Sequence, residues 1–382
     1  MLLRTAYAVY NLSASNHRRH FHYARGCPRG REEPFECGGA DNPGVVVLLE
    51  RRVATDVRVL SCIVELGEGL EVEADEKVLQ IMAQPPLGRP SYEQDKLMCS
   101  IHSRSLELPR DEVAPLIKAV RLTLGFRNAR SEAYMPFQQR LAVSGASAAP
   151  TASLSPLCGS PGCYPKAPRS FGVCVGTLYG SPKLLLSEEY SFMSYARDVL
   201  GAERLVAYYD PYSLRPAAAE VLQEWARGDF VRAVEWPAYF NGSGEVFYKS
   251  QLLAYEDCRL RFGPEFEWLA YLDTDDFPVV PTPLPVMLAG VPEDVGRINM
   301  YWTWKRKCDI SKGNGSLLEK LEGCRAREKG GHQPKQLVRT RAIAEAFIHQ
   351  CALRDKLKAV YTPELGGLWE NVSVAHVALP GK

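Results

Sequence analysis

The sequence predicts an α/β protein: a mainly parallel sheet in the C-terminal part, preceded by a β-rich accessory module. Three observations carry that prediction. Strand-like and helix-like runs alternate from residue 171 onward, which implies βαβ crossovers. Short alternating strands with Gly and Pro punctuation dominate the first part. Between them stands SGASAAPTASLSPLCGSPGCYPKAPRS, a stretch that cannot bury enough apolar surface to order itself as a packed element. The expected organisation is an accessory module over 1–143, a linker over 144–170 and a second domain over 171–382.

Composition sets the outer bounds. The 382 residues are 46% hydrophobic and 24% charged, ordinary for a globular chain with a sizeable core. Lys plus Arg number 46 against 45 Asp plus Glu, a net charge of +1 that argues against a polyanion wrapper, so no nucleic acid is expected as a partner. No apolar run approaches the roughly 18 residues of a membrane-spanning helix. Met1 to Tyr10 is too short for a signal peptide, so an anchor is either absent or missing from this chain.

In the first part, Val45 to Leu49 is a short apolar run. Val57, Val59, Ser61 and Ile63 fall on one face of an alternating segment, and Val120, Leu122, Leu124 and Phe126 on another. These point to a small β-sandwich. His17, His20 and His22 sit among Arg18, Arg19 and Arg25, which suits a solvated basic tail better than a metal site. The 11 cysteines show no paired C-x2-C zinc spacing, and Cys158 with Cys163 suits a small disulfide loop. Sequons begin at Asn11, Asn241, Asn314 and Asn371, more than chance provides from so few asparagines. Together these place the chain in the secretory pathway.

In the second part, Phe171 to Leu178 reads as a strand. Glu188 to Leu200 puts Phe192, Ala196, Val199 and Leu200 on one helical stripe, with Gly201 as the stop. A strand from Arg204 ends at Asp210. Pro216 opens a helix that Gly228 closes. Phe230 to Trp236 is a strand, Ser250 to Phe262 a helix and Trp268 to Leu272 a strand, ending at Asp273. Ligands of such sheets bind beyond the carboxyl ends of the strands.

The densest chemistry follows the last of these strands: Tyr271-Leu272-Asp273-Thr274-Asp275-Asp276-Phe277-Pro278. Crowded carboxylates repel one another, and a divalent cation relieves that penalty. Hard oxygen ligands suit Mg²⁺ or Mn²⁺ bridging a substrate's phosphates. In an extended segment the i, i+2 spacing sends Asp273 and Asp275 to the same side. A plain acidic turn or helix cap would give the same letters. The motif also serves both nucleotide-sugar transfer and metal-dependent phosphoester hydrolysis.

The run from Val173 to Val280 resembles glycosyltransferase family 92. Cys174-Val175-Gly176-Thr177-Leu178 matches the family's opening strand. Glu188-Glu189-Tyr190, Leu200-Gly201-Ala202-Glu203-Arg204, Tyr209-Asp210 and Trp236-Pro237 follow in the family's order. Gln251, Ala254, Asp257, Cys258 and Arg261 match its Gln-x-x-Ala-x-x-Asp-Cys-x-x-Arg, and Asp273-Thr274-Asp275-Asp276-Phe277 its Asp-x-Asp-Glu-Phe. Lys335 to Arg339 and Phe347-Ile348-His349 continue the likeness more weakly. The resemblance implies a GT-A-type nucleotide-sugar-binding fold and inverting transfer of galactose from UDP-galactose onto a glycan.

That resemblance implies roles. Asp273, Asp275 and Asp276 form the catalytic set, and Asp273, Asp275 and His349 hold Mn²⁺ (or Mg²⁺), with His376 a weaker candidate. Tyr209, Asp210, Gln251, Asp257 and Arg261 frame the donor. For Asp257 and Arg261 an i, i+4 ion pair is the structural alternative. The general base is left among Asp309, Glu319 and Glu322. The partners are a UDP-sugar and a glycan acceptor, and the setting is the Golgi lumen. The chain departs from the family at Asp276, where Glu is usual, and at Trp304-Lys305-Arg306-Lys307-Cys308 in the acceptor region. The rival reading is a non-catalytic glycan-binding or scaffolding protein on a degenerate transferase fold. In either case the β-rich module is a candidate glycan binder.

Overall fold

The computed structural model describes residues 2–9, 44–52, 56–81, 92–101, 113, 116–127, 135–144, 171–180, 192–236, 245–302, 334–346, 351–353 and 357–376. The chain divides into two compact units, Met1–Lys166 and Ala167–Lys382.

The first unit is all strand: β1 (Leu2–Val9), β2 (Gly44–Arg52), β3 (Asp56–Leu66), β4 (Glu71–Glu73), β5 (Glu76–Ile81), β6 (Tyr92–Ser100), β7 (Ile117–Arg127) and β8 (Met135–Ser144). They pair in the order β4-β3-β7-β8-β1-β2-β6-β5. Val45 and Val47 of β2, Leu97 of β6, Val64 of β3 and Leu122 of β7 meet in one core, so the two halves of the sheet fold onto each other. A disulfide between Cys62 of β3 and Cys99 of β6 staples strands that are not neighbours in the sheet.

The alternation in β3 differs from the expected one. Val57 is buried, but so are Cys62, Val64 and Leu66, rather than Ser61 and Ile63. The cause is a bulge: Val59 pairs Leu124 and Ser61 pairs Thr123, leaving Leu60 without an opposite residue and 48% exposed. One extra residue flips every later side chain to the other face.

The second unit contains β9 (Phe171–Gly180), α1 (Phe192–Asp198), β10 (Arg204–Leu214), α2 (Pro216–Arg227), β11 (Val231–Glu235), α3 (Glu245–Arg261), β12 (Trp268–Leu272), β13 (Asp276–Val279), α4 (Leu284–Leu288), β14 (Val295–Trp302), β15 (Lys335–Arg339), β16 (Ile343–Glu345), β17 (Ala352–Leu353), β18 (Lys358–Tyr361) and β19 (Ser373–His376). The main sheet runs β11-β10-β9-β12-β15-β14-β19-β13, with β18 beside β14. β9 to β12 pair in parallel, while β15 is antiparallel to both β12 and β14. β14, β18 and β19 therefore point the same way as β12, and only β13 and β15 are reversed. The class is α/β with a mainly parallel sheet.

Alternation sorts the two faces. Val173, Val175, Leu205, Trp268, Ala270 and Leu272 join Phe192 of α1, Leu222 of α2 and Met287 of α4 in one core. The intervening residues face α3, where Cys174 is disulfide-bonded to Cys258. Gly201 stops α1 in the left-handed region at φ 72°, with Ala202 N donating to Ala196 O. β10 does not end at Tyr209-Asp210. It continues to Leu214 with an irregular register between Tyr209 and Leu214, because Asp210 accepts from Tyr212 N and Ser213 Oγ and bends the strand locally.

Candidate active site

The strand directions decide what meets at the carboxyl edge of the sheet. β12 ends there, so Asp273 emerges directly after its buried run Trp268–Leu272. β15 is reversed, so its first residue, Lys335, comes to the same edge. β13 is also reversed and begins there at Asp276, in register with His376 at the end of β19.

Asp273 to Asp276 is a turn closed by Asp276 N donating to Asp273 O at 3.1 Å. The carboxylates therefore gather through a tight reversal rather than through the extended i, i+2 alternation expected from the sequence. One oxygen from each of Asp273, Asp275 and Asp276 lies within 4.8 Å of the others. The three are not equivalent. The side chain of Asp273 is 38% exposed, whereas those of Asp276 and Lys335 are each 1% exposed. Lys335 Nζ reaches Asp273 Oδ2 at 2.5 Å and Asp276 Oδ2 at 2.8 Å. Burial pulls the Lys335 ammonium down, but the two carboxylates outweigh it and hold its pKa above the ordinary lysine value.

The other oxygen of Asp273 is met from α3. Gln251 Nε2 donates to Asp273 Oδ1 at 2.6 Å and to Tyr255 OH at 3.0 Å, and that hydroxyl donates to Leu272 O at 3.2 Å. Burial pushes the Tyr255 hydroxyl well up, so it stays protonated. Gly176 of β9 allows this approach: a Cβ there would stand 2.5 Å from Gln251 Cγ and Nε2. A half-exposed carboxylate turn of this kind, fixed from both sides, fits a small hard cation holding phosphate oxygens.

Residues 169–356 match the sequence profile of glycosyltransferase family 92. The C-terminal unit is a glycosyltransferase family 92 domain. The α/β class with a mainly parallel sheet, expected from the sequence, is what the strand pairing shows. No curated protein matches the chain significantly. Among solved structures, residues 1–349 of S. aureus TarS align at 14% identity and a TM-score of 0.27, covering 45% of this chain and 47% of that one. This chain thus spans about half the length of that solved chain. Glucosyl-3-phosphoglycerate synthase from Mycobacterium tuberculosis, solved with Mn²⁺, UDP-glucose and phosphoglyceric acid, aligns at 12% identity and 0.26, covering 56% and 74%. Mouse xyloside xylosyltransferase 1 aligns at 11% and 0.22, covering 45% and 67%. Scores this low carry no argument about the present chain.

Within the family 92 domain the remaining predicted residues separate into groups. Gln251 is at the acidic turn. Asp257 lies six residues further along α3, roughly 240° around the helix. It is buried, accepts from Tyr208 OH at 2.5 Å and from Arg261 Nη2 at 3.1 Å, and so ties α3 to β10. Trp236 packs edge-on against the same Tyr208, with ring centroids 5.4 Å apart. Tyr209 OH donates to Glu235 Oε1 at 3.1 Å, and burial raises its pKa. Asp210 is buried at the carboxyl edge, engaged with Tyr212 and Ser213.

His349, Asp309, Glu319, Glu322 and the 304–308 segment lie outside the described residues, as do Cys158, Cys163, the N-terminal histidines and the sequons at Asn11, Asn241 and Asn314. Asn371 is described, at the exposed end of a 3-10 turn. Sequence reasoning gave no role to Lys335 or Tyr255. Nothing in Lys335-Gln336-Leu337-Val338-Arg339 as a sequence marks its lysine as buried at the acidic turn.

Proposed function

We propose that this chain is a metal-dependent inverting glycosyltransferase that moves a hexose, galactose from UDP-galactose by family resemblance, onto a glycan acceptor. The observation that carries the proposal is the acidic turn at the carboxyl edge, where Asp273, Asp275 and Asp276 bring oxygens within 4.8 Å of one another. Asp273 and Asp275 would hold Mn²⁺ or Mg²⁺, and His349 is the proposed further ligand. When bound, such an ion supplies Lewis-acid neutralisation of the diphosphate leaving group.

The chain's own residues do the rest. Gln251 fixes the Asp273 carboxylate through one oxygen. Tyr209 and Asp210 face the nucleotide from the end of the parallel strands, and Asp257 with Arg261 secures the helix that presents Gln251. The acceptor hydroxyl attacks the anomeric carbon opposite the diphosphate and passes its proton to a carboxylate among Asp309, Glu319 and Glu322. The β-rich unit binds glycan and raises the acceptor's local concentration. The Cys62–Cys99 and Cys174–Cys258 disulfides and the exposed Asn371 sequon support a place in the secretory pathway, in the Golgi lumen by family resemblance. Among the described residues no helix is long and apolar enough to cross a membrane.

One observation favours a second reading. Lys335 already offsets part of the negative charge by bridging two of the carboxylates, which lessens the turn's need for an ion, as a non-catalytic glycan-binding scaffold would require. Calorimetric titration of UDP with and without Mn²⁺, with GDP as control, separates the two. Tight UDP binding that needs Mn²⁺ supports the transferase. Binding of neither nucleotide by folded protein supports the scaffold.

A further inference from the structure

The acidic turn carries its own cation. Among these four side chains Asp273, Asp275 and Asp276 bring three formal negative charges and Lys335 returns one positive charge, a sum of −2 that one divalent ion balances. The placement is uneven. Lys335 is shared between Asp276, which is as buried as itself, and Oδ2 of Asp273, whose side chain is 38% exposed. Burying an ammonium beside a site meant for a cation is doubly unfavourable, since it costs desolvation and repels the ion.

We propose that Lys335 is a positioning residue that sets the charge of the acidic turn, and with it the affinity for a divalent cation. It neutralises Asp276, draws Asp273 Oδ2 inward and leaves Asp273 and Asp275 as the carboxylates that meet the ion. Asp276 is then a counter-charge for Lys335 rather than a ligand. Charge count, more than ligand count, fixes how tightly the ion is held and how readily it leaves with the diphosphate product. The inference rests on the glycosyltransferase reading of the site.

Mn²⁺ binding to the nucleotide-free full chain, followed by electron paramagnetic resonance of the free ion, tests it through a double-mutant cycle. Lys335→Met takes the formal charge of the turn from −2 to −3 and is expected to bind Mn²⁺ about tenfold more tightly; Asp276→Asn takes it from −2 to −1 and is expected to bind about tenfold more weakly. The double variant returns to −2 and is expected within about threefold of the wild type. A merely structural lysine predicts something else: each single change loosens the turn and weakens binding, and combining them restores nothing. Should Lys335→Met fail to fold, the comparison of Asp276→Asn with the double variant decides, since the double must bind more tightly. Binding that follows the structural order overturns the inference and leaves the metal reading standing. Absence of binding in every variant overturns both. Binding gained only when Lys335 is removed supports the inference and overturns the metal reading of the native turn.

Discussion

Two cations are buried on the same five-residue strand, and their surroundings differ. At one end of β15, Arg339 is 5% exposed in its side chain and meets Glu267 at 2.6 Å. Its guanidinium also donates to the carbonyls of Val291, Pro292 and Val295 at 3.3–3.4 Å and lies 4.5 Å from the centre of the Trp268 ring. Those acceptors are mostly backbone atoms, which neither titrate nor turn away. At the other end Lys335 meets two carboxylates, one of them partly open to solvent. A cation clamped by fixed carbonyls is a staple. One held by carboxylates at the open edge of a sheet takes part in the electrostatics of whatever binds there.

Breaking the staple is expected to have the largest effect on the fold. Arg339→Leu leaves Glu267 and three carbonyls without their donor and should lower stability by about 3–5 kcal/mol, read by denaturant unfolding of the purified chain. The folded fraction should keep wild-type Mn²⁺ affinity. A variant that unfolds normally but binds Mn²⁺ poorly would erase the distinction between the two ends.

The next effect sharpens the comparison from the other side. Asp275→Asn should reduce Mn²⁺-dependent UDP binding on the order of 100-fold by calorimetry, with an unchanged melting curve, since relieving repulsion costs no packing. Full transfer activity in that variant would sink the metal assignment.

Gly176→Ala is expected to do some of each. Its methyl would stand 2.5 Å from Gln251, displacing the amide from Asp273. Overpacking of this kind costs about 1–3 kcal/mol, and we expect a loss of Mn²⁺ affinity with it. The smallest change is Gln251→Leu, which keeps the packing but removes the bond to Asp273. About tenfold weaker Mn²⁺ binding with near-native stability is expected, measured by the same titration.

How much the sequence discloses depends on the range of the interactions involved. β12 lies where the sequence places it, at Trp268–Leu272, because a strand buried on both faces is written as a continuous apolar run, whereas β15, Lys-Gln-Leu-Val-Arg, carries no such run and is placed at 335–339 only by its family resemblance. The helix opening at Pro216 and the stop at Gly201 are local backbone chemistry, and both are readable. Lys335 is not, because its partners lie 62 and 59 residues away and meet it only through a reversed strand. The bulge at Leu60 is equally hidden, since alternation in a sequence gives no sign of a skipped residue. The acidic turn is legible as chemistry but not as geometry: that Asp276 is buried while Asp273 is partly exposed depends on β13 pairing with β19, nearly a hundred residues later.

The reversed direction of β15 has a consequence for how Lys335 is held in place. A residue at the end of a parallel strand is followed by a loop, and a change in loop length or course shifts it. Lys335 instead opens a strand hydrogen-bonded on one side to β12 and on the other to β14, so its place is set by the residues after it in the chain. The place of Lys335, and with it the charge balance at the acidic turn, is therefore set by strand pairing and not by the length of chain that joins β14 to β15.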